Sequence, residues 1–403
     1  MMIRFSFLWP LFTLDFILHF SRALTFTFFP IYLSQTLQFN PLMTGYALGG
    51  SLVIATVAGV WCGVLIDRFT PLRSLFLAIL LSVVVYGLLT HVQHFIQVFI
   101  LLIMIEVAFT TMHLAVKSLL SGLLPADQRG AAFSVTYTLI NIAFCSAPIL
   151  GILASHYAVH APMWLSAGLS FISLCILSLY YRRYDAHLQV DSPVNGPKTS
   201  LKQTFSVLIS DYRLQLFTLG GLFSALVYAR FATYLSQYLG YVVSESEALR
   251  LITLIVSINA ATVILLQYVI GKRITQKNRV LSVMAGTGLL VMGLYFYHVS
   301  ELTLFWIIAT ILFSLGEVIL VPSEFLFIDS IARDDMKGAY FGVQNIAMSG
   351  GGANAILFGY LLNSHLIPPS SIFYLLILFA LLGCALYLIG IRQKNRVVPA
   401  RES

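Results

Sequence analysis

Long apolar stretches alternate with short polar or charged stretches along almost the whole chain of 403 residues. Each apolar stretch is about as long as the 20 residues that a helix needs to cross the hydrocarbon core of a bilayer. The pattern therefore predicts an all-α membrane protein with twelve transmembrane helices, which we number spans 1 to 12. The predicted spans are 7–33, 42–66, 73–91, 96–122, 131–154, 161–181, 213–239, 248–270, 279–298, 302–328, 338–362 and 371–391.

Basic side chains concentrate on one side of this pattern. When the chain is followed back and forth through the spans, one set of loops receives almost all of the loop lysines and arginines, including Arg129, Lys202 and Arg333. Loops rich in lysine and arginine face the cytoplasm in membrane proteins. We therefore expect a multi-pass protein of the cell (inner) membrane with both termini in the cytoplasm.

The longest polar connection lies in the middle of the chain and contains Pro193, Gly196 and Pro197. Such a composition is typical of a flexible linker. The sequence therefore predicts two pseudo-symmetric halves of six helices, at 1–182 and 213–391. They are joined by a cytoplasmic linker at 183–212 and followed by a cytoplasmic tail at 392–403.

Two short repeats relate the halves to each other. Segment 32–35, Tyr-Leu-Ser-Gln, ends span 1 and recurs as 234–237 at the end of span 7, an offset of 202 (234 minus 32). Segment 127–133 precedes span 5 and recurs in similar form as 335–341 before span 11, an offset of 208 (335 minus 127). Matches at equivalent places with nearly equal offsets favour a duplicated fold.

The composition excludes a water-soluble fold. Hydrophobic residues make up 59% of the chain and charged residues 10%, against about 25% charged residues in an ordinary soluble domain. The net charge of +7 follows from the basic cytoplasmic loops, so we expect no nucleic-acid partner. The sequence contains no P-loop, nucleophile elbow or paired metal-ligand motif, and we expect neither a cofactor nor a bound metal. The absence of these motifs predicts that the chain is not an enzyme, and that any energy it uses comes from an ion gradient.

A family signature lies between spans 2 and 3. Segment 63–69, Gly-Val-Leu-Ile-Asp-Arg-Phe, is followed by Pro71 and Arg73. This resembles the G-x-L-a-D-R-x-x-x-x-R signature of the major facilitator superfamily, with Thr70 in place of the expected glycine and Leu72 in place of one basic residue. The resemblance implies two six-helix halves that alternate access to a central site, with a gate at this loop.

Further motifs resemble parts of the same superfamily. Segment 147–151 in span 5, Ala-Pro-Ile-Leu-Gly, is similar to the end of the antiporter motif G-P-x-x-G. Other positions resemble the bacterial YdeE-type branch, which exports dipeptides and other small amphiphiles. These positions are Asn259-Ala260-Ala261, Gln267-Tyr268, Gly271, Gly316-Glu317, Pro322, Glu324 and Asp329. The resemblance implies antiport and export, and it implies that spans 1, 4, 7 and 10 line the cavity.

Ionisable residues inside the membrane fall on those same four spans. Spacings of 4, 7 and 11 residues return to within about 40° of the same helix direction, so each set lies on one face of its helix. The residues are Asp15, His19 and Arg22 in span 1, Glu106, His113 and Lys117 in span 4, Arg230 in span 7, and Glu317 and Glu324 in span 10.

Depth in the membrane suggests how these groups pair. Arg22 and Glu106 lie near the middle of their spans and are predicted to meet between spans 1 and 4, while Asp15 lies at a depth from which it could reach Lys117. A charge in mid-membrane costs at least about 2.5–3.5 kcal/mol, so it must pair or face water. A structural salt bridge is the alternative reading for the cations. A hydrogen-bonded packing role is the alternative for the two histidines.

Counting charges by half suggests the proton carrier. In the N-terminal half two membrane carboxylates balance two cations, whereas in the C-terminal half two carboxylates accompany one cation, Arg230. A carboxylate in excess and poorly solvated binds a proton more readily than an exposed one. Glu317 lies near the middle of span 10, while Glu324 lies two turns nearer the cytoplasm. We therefore predict Glu317 as the principal proton-coupling residue, with Glu106 and Asp15 as further candidates.

The other candidate residues divide between substrate binding and gating. Arg22 and Arg230, one from each half, are predicted to bind the anionic part of a substrate. The remaining predicted substrate-binding residues are Glu106, His113, Lys117, Glu324 and Tyr234, with aromatic surface from Phe26, Tyr137 and Tyr228, and the predicted gating residues are Gly63, Asp67, Arg68, Arg73 and Asp329.

Three functions fit these observations. The first is proton-coupled export of a small amphiphilic, zwitterionic or carboxylated solute, such as a peptide-like compound, a drug or a siderophore. The second is uptake of such a solute by proton symport, and the third is a receptor or scaffold that transports nothing. Buried charges on the cavity helices argue against the third. The expected partners are the small-molecule substrate, protons and the lipid bilayer; sodium stays open as the coupling ion, and we expect a monomer.

Overall fold

A computed structural model of the chain describes residues 8–26, 28–39, 43–44, 46–188, 201–229, 231–299, 302–364 and 368–393. Almost all of these residues are helical, and no strand occurs among them. The predicted all-α class is therefore confirmed. Long apolar helices are the expected result, because a helix satisfies every backbone hydrogen bond within its own segment.

The chain packs into two compact units. Unit 1 comprises the described part of Met1–Pro197 together with Arg333–Gly342, and unit 2 comprises the described part of Lys198–Ala332 and of Val343–Ser403. The short segment 333–342 therefore belongs to unit 1, although it follows most of unit 2 in the sequence.

Unit 1 is built on seven helices from the first part of the chain. They are α1 (Trp9–Phe26), α2 (Phe28–Ile31), α3 (Ser51–Phe69), α4 (Pro71–Leu89), α5 (Phe95–Leu123), α6 (Ala126–Tyr157) and α7 (Ala161–Leu188), with π-helical turns at Tyr32–Thr36 and Tyr46–Gly50. Helix α1 packs on α6 and α7, α5 packs on α3 and α4, and α4 also packs on α7. A cluster of apolar and aromatic side chains from α2, α4 and α5 forms the core at one end of this unit.

Unit 2 follows a similar plan. Its helices are α8 (Leu201–Ser210), α9 (Tyr212–Tyr228), α10 (Phe231–Val242), α11 (Glu245–Gly271), α12 (Arg279–Val299), α13 (Thr303–Ile331), α15 (Ser349–Ser364) and α16 (Ser371–Arg392). Helix α14 (Lys337–Asn345) begins in the segment 333–342 of unit 1, and its last residues belong to unit 2. Helix α13 packs on α11 and α12, and α9 packs on α15 and α16. Helix α8 lies within the segment 183–212 that the sequence predicts as a linker.

Within the described residues, nine helices are long and apolar enough to cross a membrane, or ten if the bent pair α9 and α10 is one span. The nine correspond to every predicted span except 1, 7 and 11. Span 1 corresponds to α1, α2 and a π-helical turn at Tyr32–Thr36. In span 7, α9 and α10 meet at a bend of 42°, and in span 11 a 3₁₀ turn at Ile346–Met348 separates α14 from α15. The count of twelve spans stays a prediction.

Close helix contacts in both units depend on glycine. A Cβ atom added to Gly151 of α6 would lie 2.1 Å from the carbonyl oxygen of Leu24 in α1. In unit 2 a Cβ atom on Gly316 of α13 would lie 2.7 Å from the carbonyl oxygen of Gly286 in α12. Small residues let membrane helices approach to backbone contact, where packing is the main source of association.

We predict that Gly151→Ala destabilises unit 1, because the added methyl group must push α1 and α6 apart. Overpacking of this kind costs about 1–3 kcal/mol. Thermal unfolding of the purified protein in detergent should therefore show a lower midpoint for this variant. The matched control is Gly168→Ala in α7, where an added Cβ has no neighbour within 4 Å. Equal midpoints for the two variants would contradict the prediction.

Candidate functional site

A buried ion pair joins α1 to α5 in unit 1. A terminal nitrogen of the Arg22 guanidinium donates a hydrogen bond to Oε1 of Glu106, and each residue is 8% exposed. The rings of Phe26 and Phe109 lie over the guanidinium, with 5.2 and 5.8 Å between Cζ and the ring centroids. Such ring faces attract cations. The predicted contact between Arg22 and Glu106 is confirmed, and the guanidinium is held from several directions.

Hydroxyl groups from α1, α4 and α7 lie beside this pair. Ser21 Oγ donates to the carbonyl oxygen of Ser166 at 3.0 Å, and Ser166 Oγ donates to the carbonyl oxygen of Ser21 at 2.8 Å. The hydroxyls of Thr25 and Tyr86 are 3.3 Å apart. A small cavity opens next to the guanidinium, and its polar lining residues are Ser21, Arg22, Ser82, Tyr86 and Ser170. Sequence reasoning considered charged residues and missed these hydroxyls, although their positions within apolar stretches were a usable signal.

A second buried cluster lies nearer the start of α1. His19 Nδ1 is 3.3 Å from Oδ1 of Asp15 and 2.8 Å from the Asp15 backbone oxygen. The His19 ring meets the His113 ring edge to face, with 5.6 Å between centroids. Asp15 is 1% exposed, and no described residue donates a hydrogen bond to its Oδ2. Lys117 is also buried, one turn beyond His113 on α5, and its contact with Asp15 stays a prediction.

Glu317, the predicted proton carrier, lies on α13 in unit 2 and is 6% exposed. Asn259 of α11 donates through Nδ2 to Glu317 Oε2 at 3.0 Å and to Ser314 Oγ at 2.9 Å. The carboxylate therefore has a neutral amide donor. The sequence marked Asn259 as part of a family resemblance but not as a site residue, because a neutral side chain on another helix carries no charge signal.

Two further carboxylates of α13 are also buried. Glu324 is 2% exposed and accepts a hydrogen bond from the Tyr228 hydroxyl of α9 at 3.0 Å. Asp329 is 4% exposed, and Gln276 Nε2 lies 3.5 Å from its Oδ2. Arg230, the predicted cation of this half, lies outside the described residues.

The carbonyl groups at the end of α9 are bound by side chains of other helices. Asn354 Nδ2 of α15 donates to the carbonyl oxygens of Leu226 at 3.4 Å and Ala229 at 2.7 Å. The Tyr234 hydroxyl of α10 donates to the carbonyl oxygen of Val227 at 3.0 Å. An interrupted helix inside a membrane needs such donors, because water is absent there. In this structure Tyr234, predicted to bind substrate, has its hydroxyl engaged in supporting the helix break.

The predicted gating residue Asp67 lies at the end of α3. Its Oδ1 accepts a hydrogen bond from the backbone N–H of Gly338, and its Oδ2 accepts one from the N–H of Ala339, both at 2.7 Å. These N–H groups belong to the first turn of α14. A helix N-terminus carries partial positive charge and unpaired donors, so a carboxylate is a favourable partner there.

Glycines on α3 and α14 bring the two backbones into contact beside Asp67. A Cβ atom on Gly63 would lie 2.2 Å from the carbonyl oxygen of Gly338, and one on Gly342 would lie 2.7 Å from that of Gly59. Two glycine pairs, each spaced four residues apart, therefore face each other. The first glycine of the family signature, Gly63, is one of the four.

The repeated segments 127–133 and 335–341 place corresponding cations at the same helix end. Arg129 Nε donates to the carbonyl oxygen of Leu124 at 2.9 Å, and Lys337 Nζ donates to that of Ser121 at 3.1 Å. Both oxygens belong to the C-terminal end of α5, where the helix dipole favours positive charge. The two repeated segments thus supply two cations for one helix terminus.

Thr70 explains why the family signature has a glycine at this position. Its φ angle is +83°, a value that glycine adopts readily and a side chain with a branched Cβ does not. The Thr70 hydroxyl accepts a hydrogen bond from the Arg73 backbone N–H at 3.4 Å and so begins α4. Arg73 itself is exposed, and Arg68 is partly buried at the end of α3.

Comparison with known proteins identifies relatives over nearly the whole chain. The sequence profile of the Major Facilitator Superfamily matches residues 11–356. The uncharacterized MFS-type transporter YdeE of Escherichia coli (strain K12) is 30% identical over 381 residues, which cover 94% of this chain and 94% of that protein.

Solved structures agree on the fold. The E. coli fucose:proton symporter FucP superposes with a TM-score of 0.71 over 98% of this chain and 99% of its own, at 14% identity. A bacterial homologue of the iron transporter ferroportin, in an outward-facing state, gives a TM-score of 0.68 over 95% and 99%, also at 14% identity. At this level of identity the likeness concerns the fold alone.

We predict that Asp67→Asn slows transport while largely preserving substrate affinity. An asparagine side chain has one acceptor oxygen and no charge, so it loses at least one of two charge-assisted hydrogen bonds to α14, each worth about 1.5–3 kcal/mol. Initial transport rates and binding constants should be measured for this variant and for the control Asp127→Asn, at an exposed position. Lost affinity without any change in the rate of conformational exchange would reject a gating role.

Proposed function

The chain belongs to the Major Facilitator Superfamily and is a membrane transporter of small molecules, and from this premise we propose that it exports its substrate in exchange for protons. The proposed substrate is a small amphiphilic, zwitterionic or carboxylated solute, such as a peptide-like compound, a drug or a siderophore. The support for export is the likeness of segments 147–151, 259–261 and 316–317 to motifs of the antiporter and YdeE-type branches.

The observation that carries the proposal is a pair of buried carboxylates with different partners. Glu106 in unit 1 is bound to a cation, Arg22, whereas Glu317 in unit 2 accepts a hydrogen bond from the neutral Asn259. Keeping a carboxylate in the membrane interior has a large desolvation cost, so such residues usually have a function. A buried carboxylate that accepts a hydrogen bond from a neutral amide can keep that bond in its ionised and in its protonated form, which suits a group that binds and releases a proton.

The substrate class is proposed from the charges near the same helices. Arg22 and Lys117 in unit 1 could attract a carboxylate, and Phe26 and Phe109 offer aromatic surface beside the guanidinium. Arginine suits carboxylate recognition because its N–H groups bind both oxygens at once. A dipeptide or a carboxylated siderophore provides such a group, whereas a neutral sugar does not.

The second candidate function is uptake of an anionic solute by proton symport. The observation that favours it is the ion pair of Arg22 with Glu106. A carboxylate substrate can compete with Glu106 for the guanidinium. The released Glu106 carboxylate then lacks the neighbouring positive charge, which favours binding of a proton. Direction therefore has to be measured.

Counterflow in proteoliposomes tests these proposals. Vesicles containing the purified chain would be loaded with dipeptides, drugs or polycarboxylates and studied with a fixed pH gradient. If the protein is an antiporter, solute accumulates inside the vesicles when the proton concentration is higher inside than outside. If it is a symporter, solute accumulates when the proton concentration is higher outside. Absence of counterflow for all three ligand classes would reject the proposed substrate range.

We predict that Arg22→Gln weakens binding of acidic and zwitterionic ligands far more than binding of neutral or cationic ones. The reason is that the substitution removes the positive charge while keeping a polar side chain of similar length. The same result is expected for Arg230→Gln. Ligand binding should be measured by class in the purified protein. An equal loss for every class would mean that these arginines are structural.

We predict that Glu317→Gln abolishes gradient-driven transport and leaves substrate exchange at equal pH measurable. Glutamine keeps an oxygen that can accept the Asn259 hydrogen bond, but it cannot carry a proton. The matched control is Glu247→Gln, which changes an exposed glutamate paired with Arg250. If the Glu317→Gln protein concentrates substrate at the wild-type rate, coupling lies at another residue.

A further inference from the structure

Two arginines lie over a buried aromatic cluster at one end of unit 2. Arg213 is the second residue of α9, and Arg279 is the first residue of α12. The Arg213 guanidinium lies over the ring of Phe217, with 5.9 Å between Cζ and the ring centroid, and that of Arg279 lies over Phe327 at 5.4 Å. The two rings are in contact, with 5.0 Å between centroids, and Tyr387 of α16 stacks on both. One aromatic surface therefore holds two cations.

This arrangement is electrostatically unfavourable unless an anion is bound. The two guanidinium charges are close enough to repel each other. Both arginines lie in the first turn of a helix, where the partial charge of the backbone is also positive, and neither helix has an acidic residue in its first turn. The ring faces attract cations, but they carry no net charge. An anion between the two guanidinium groups would turn this repulsion into attraction.

Arg279 has hydrogen-bond donors available for such an anion. Its Nη1 donates to the backbone oxygen of Gln276 at 3.1 Å and to the side-chain oxygen of the same residue. Its Nε is buried, and no described residue accepts a hydrogen bond from it. None of the described carboxylates forms an ion pair with Arg279. A guanidinium has five N–H donors, and their geometry matches two oxygens of a phosphate group.

Positive charge exceeds negative charge among the described residues at this end of unit 2. Segment 272–279, which joins α11 to α12, contains four cations and no acidic residue. With Arg213 the cations number five. Asp211 caps α9 by accepting two backbone N–H groups, and the buried Asp329 lies 3.5 Å from the side-chain nitrogen of Gln276. Five cations therefore accompany two carboxylates that have other contacts.

We propose that Arg213 and Arg279 together bind the phosphate group of an anionic phospholipid. Both arginines lie at the ends of helices predicted to span the membrane, and lipid phosphates lie at that depth, roughly 5–7 Å beyond the hydrocarbon core. Basic pockets between membrane helices on the cytoplasmic side bind anionic headgroups, and the predicted orientation places this end of unit 2 in the cytoplasm. The inference depends on neither the proposed substrate nor the proposed direction of transport.

Exposed apolar side chains beside the two arginines favour a lipid over a soluble phosphate. Tyr212, next to Arg213 in the chain, is 54% exposed, and Ile389 near the end of α16 is 45% exposed. Such side chains offer surface to an acyl chain, whereas a soluble phosphate gains nothing from them.

The loop cations Lys272, Arg273 and Lys277 differ from the two arginines because they are fully exposed. Arg213 and Arg279 are partly buried, and their guanidinium groups are positioned by aromatic rings. Exposed cations of a loop are sufficiently explained by the rule that sets orientation in the membrane. That rule does not require two cations to be positioned together between helices.

The affinity for the first bound lipid tests the site. Native mass spectrometry of the purified full chain in detergent would give this dissociation constant for dioleoyl-phosphatidylglycerol, which is anionic. Dioleoyl-phosphatidylcholine has the same acyl chains and no net charge, and sn-glycerol 1-phosphate supplies the phosphate in soluble form. The double variant Arg213→Gln with Arg279→Gln removes the proposed site. The matched control is Arg273→Gln with Lys277→Gln, which removes the same charge from exposed positions of the adjoining loop.

For the wild-type chain we expect phosphatidylglycerol to bind about 25-fold more tightly than phosphatidylcholine, because each of the two cations contributes about fivefold. The double variant at Arg213 and Arg279 should lose this preference. The loop control should keep most of it, because exposed charges are screened by the solvent. Arg279→Lys keeps the charge and loses the two-bond contact, so its affinity for phosphatidylglycerol should fall by about two- to twelvefold, the value of one hydrogen bond.

Four results would overturn the inference. Equal affinity of the wild-type chain for both lipids would exclude a preference for an anion. An equal loss in the two double variants would mean that general surface charge attracts the lipid. Displacement of the lipid by an equal concentration of sn-glycerol 1-phosphate would make the ligand a soluble phosphate. Unchanged affinity in Arg279→Lys would exclude the proposed contact, and this variant decides even if the double variant fails to fold.

Discussion

The high cost of an isolated charge in a low-dielectric membrane interior governs how the polar residues of this transporter are arranged. A carboxylate or a cation there must find a partner, water or a proton. In unit 1 the requirement is met by pairing across helices, as between Arg22 and Glu106. In unit 2 a neutral amide, Asn259, donates to the buried carboxylate of Glu317. The same constraint is thus met by two kinds of hydrogen-bond donor, a cation in unit 1 and a neutral amide in unit 2.

The backbone obeys a related constraint. Where helices are continuous, every N–H and C=O group is satisfied within the helix, and glycines such as Gly151 and Gly316 allow two backbones to touch. Where a helix is interrupted, side chains supply the missing donors, as Asn354 does at the end of α9. Polar side chains on apolar helices therefore serve two purposes in this protein: some support the backbone and others surround charges.

The sequence predicted the helical class and the pairing of Arg22 with Glu106, because hydropathy and helical spacing report directly on both. It did not predict the interruption of span 7, because that interruption is accompanied by donors from other helices that hydropathy does not register. The role of Asn259 escaped notice for a similar reason. Thr70 was visible as a departure from the family signature, but its positive φ angle, which gives the departure a physical meaning, appears only in three dimensions.

Because residues 333–342 belong to unit 1, the two halves of the sequence do not coincide with the two packed units. A chain severed in its central linker would yield an N-terminal fragment that lacks the partner of Asp67 and the lysine bound to the end of α5. The C-terminal fragment would carry that missing piece. Unit 1 would therefore be complete only when both fragments are present, whereas unit 2 would come from the C-terminal fragment alone.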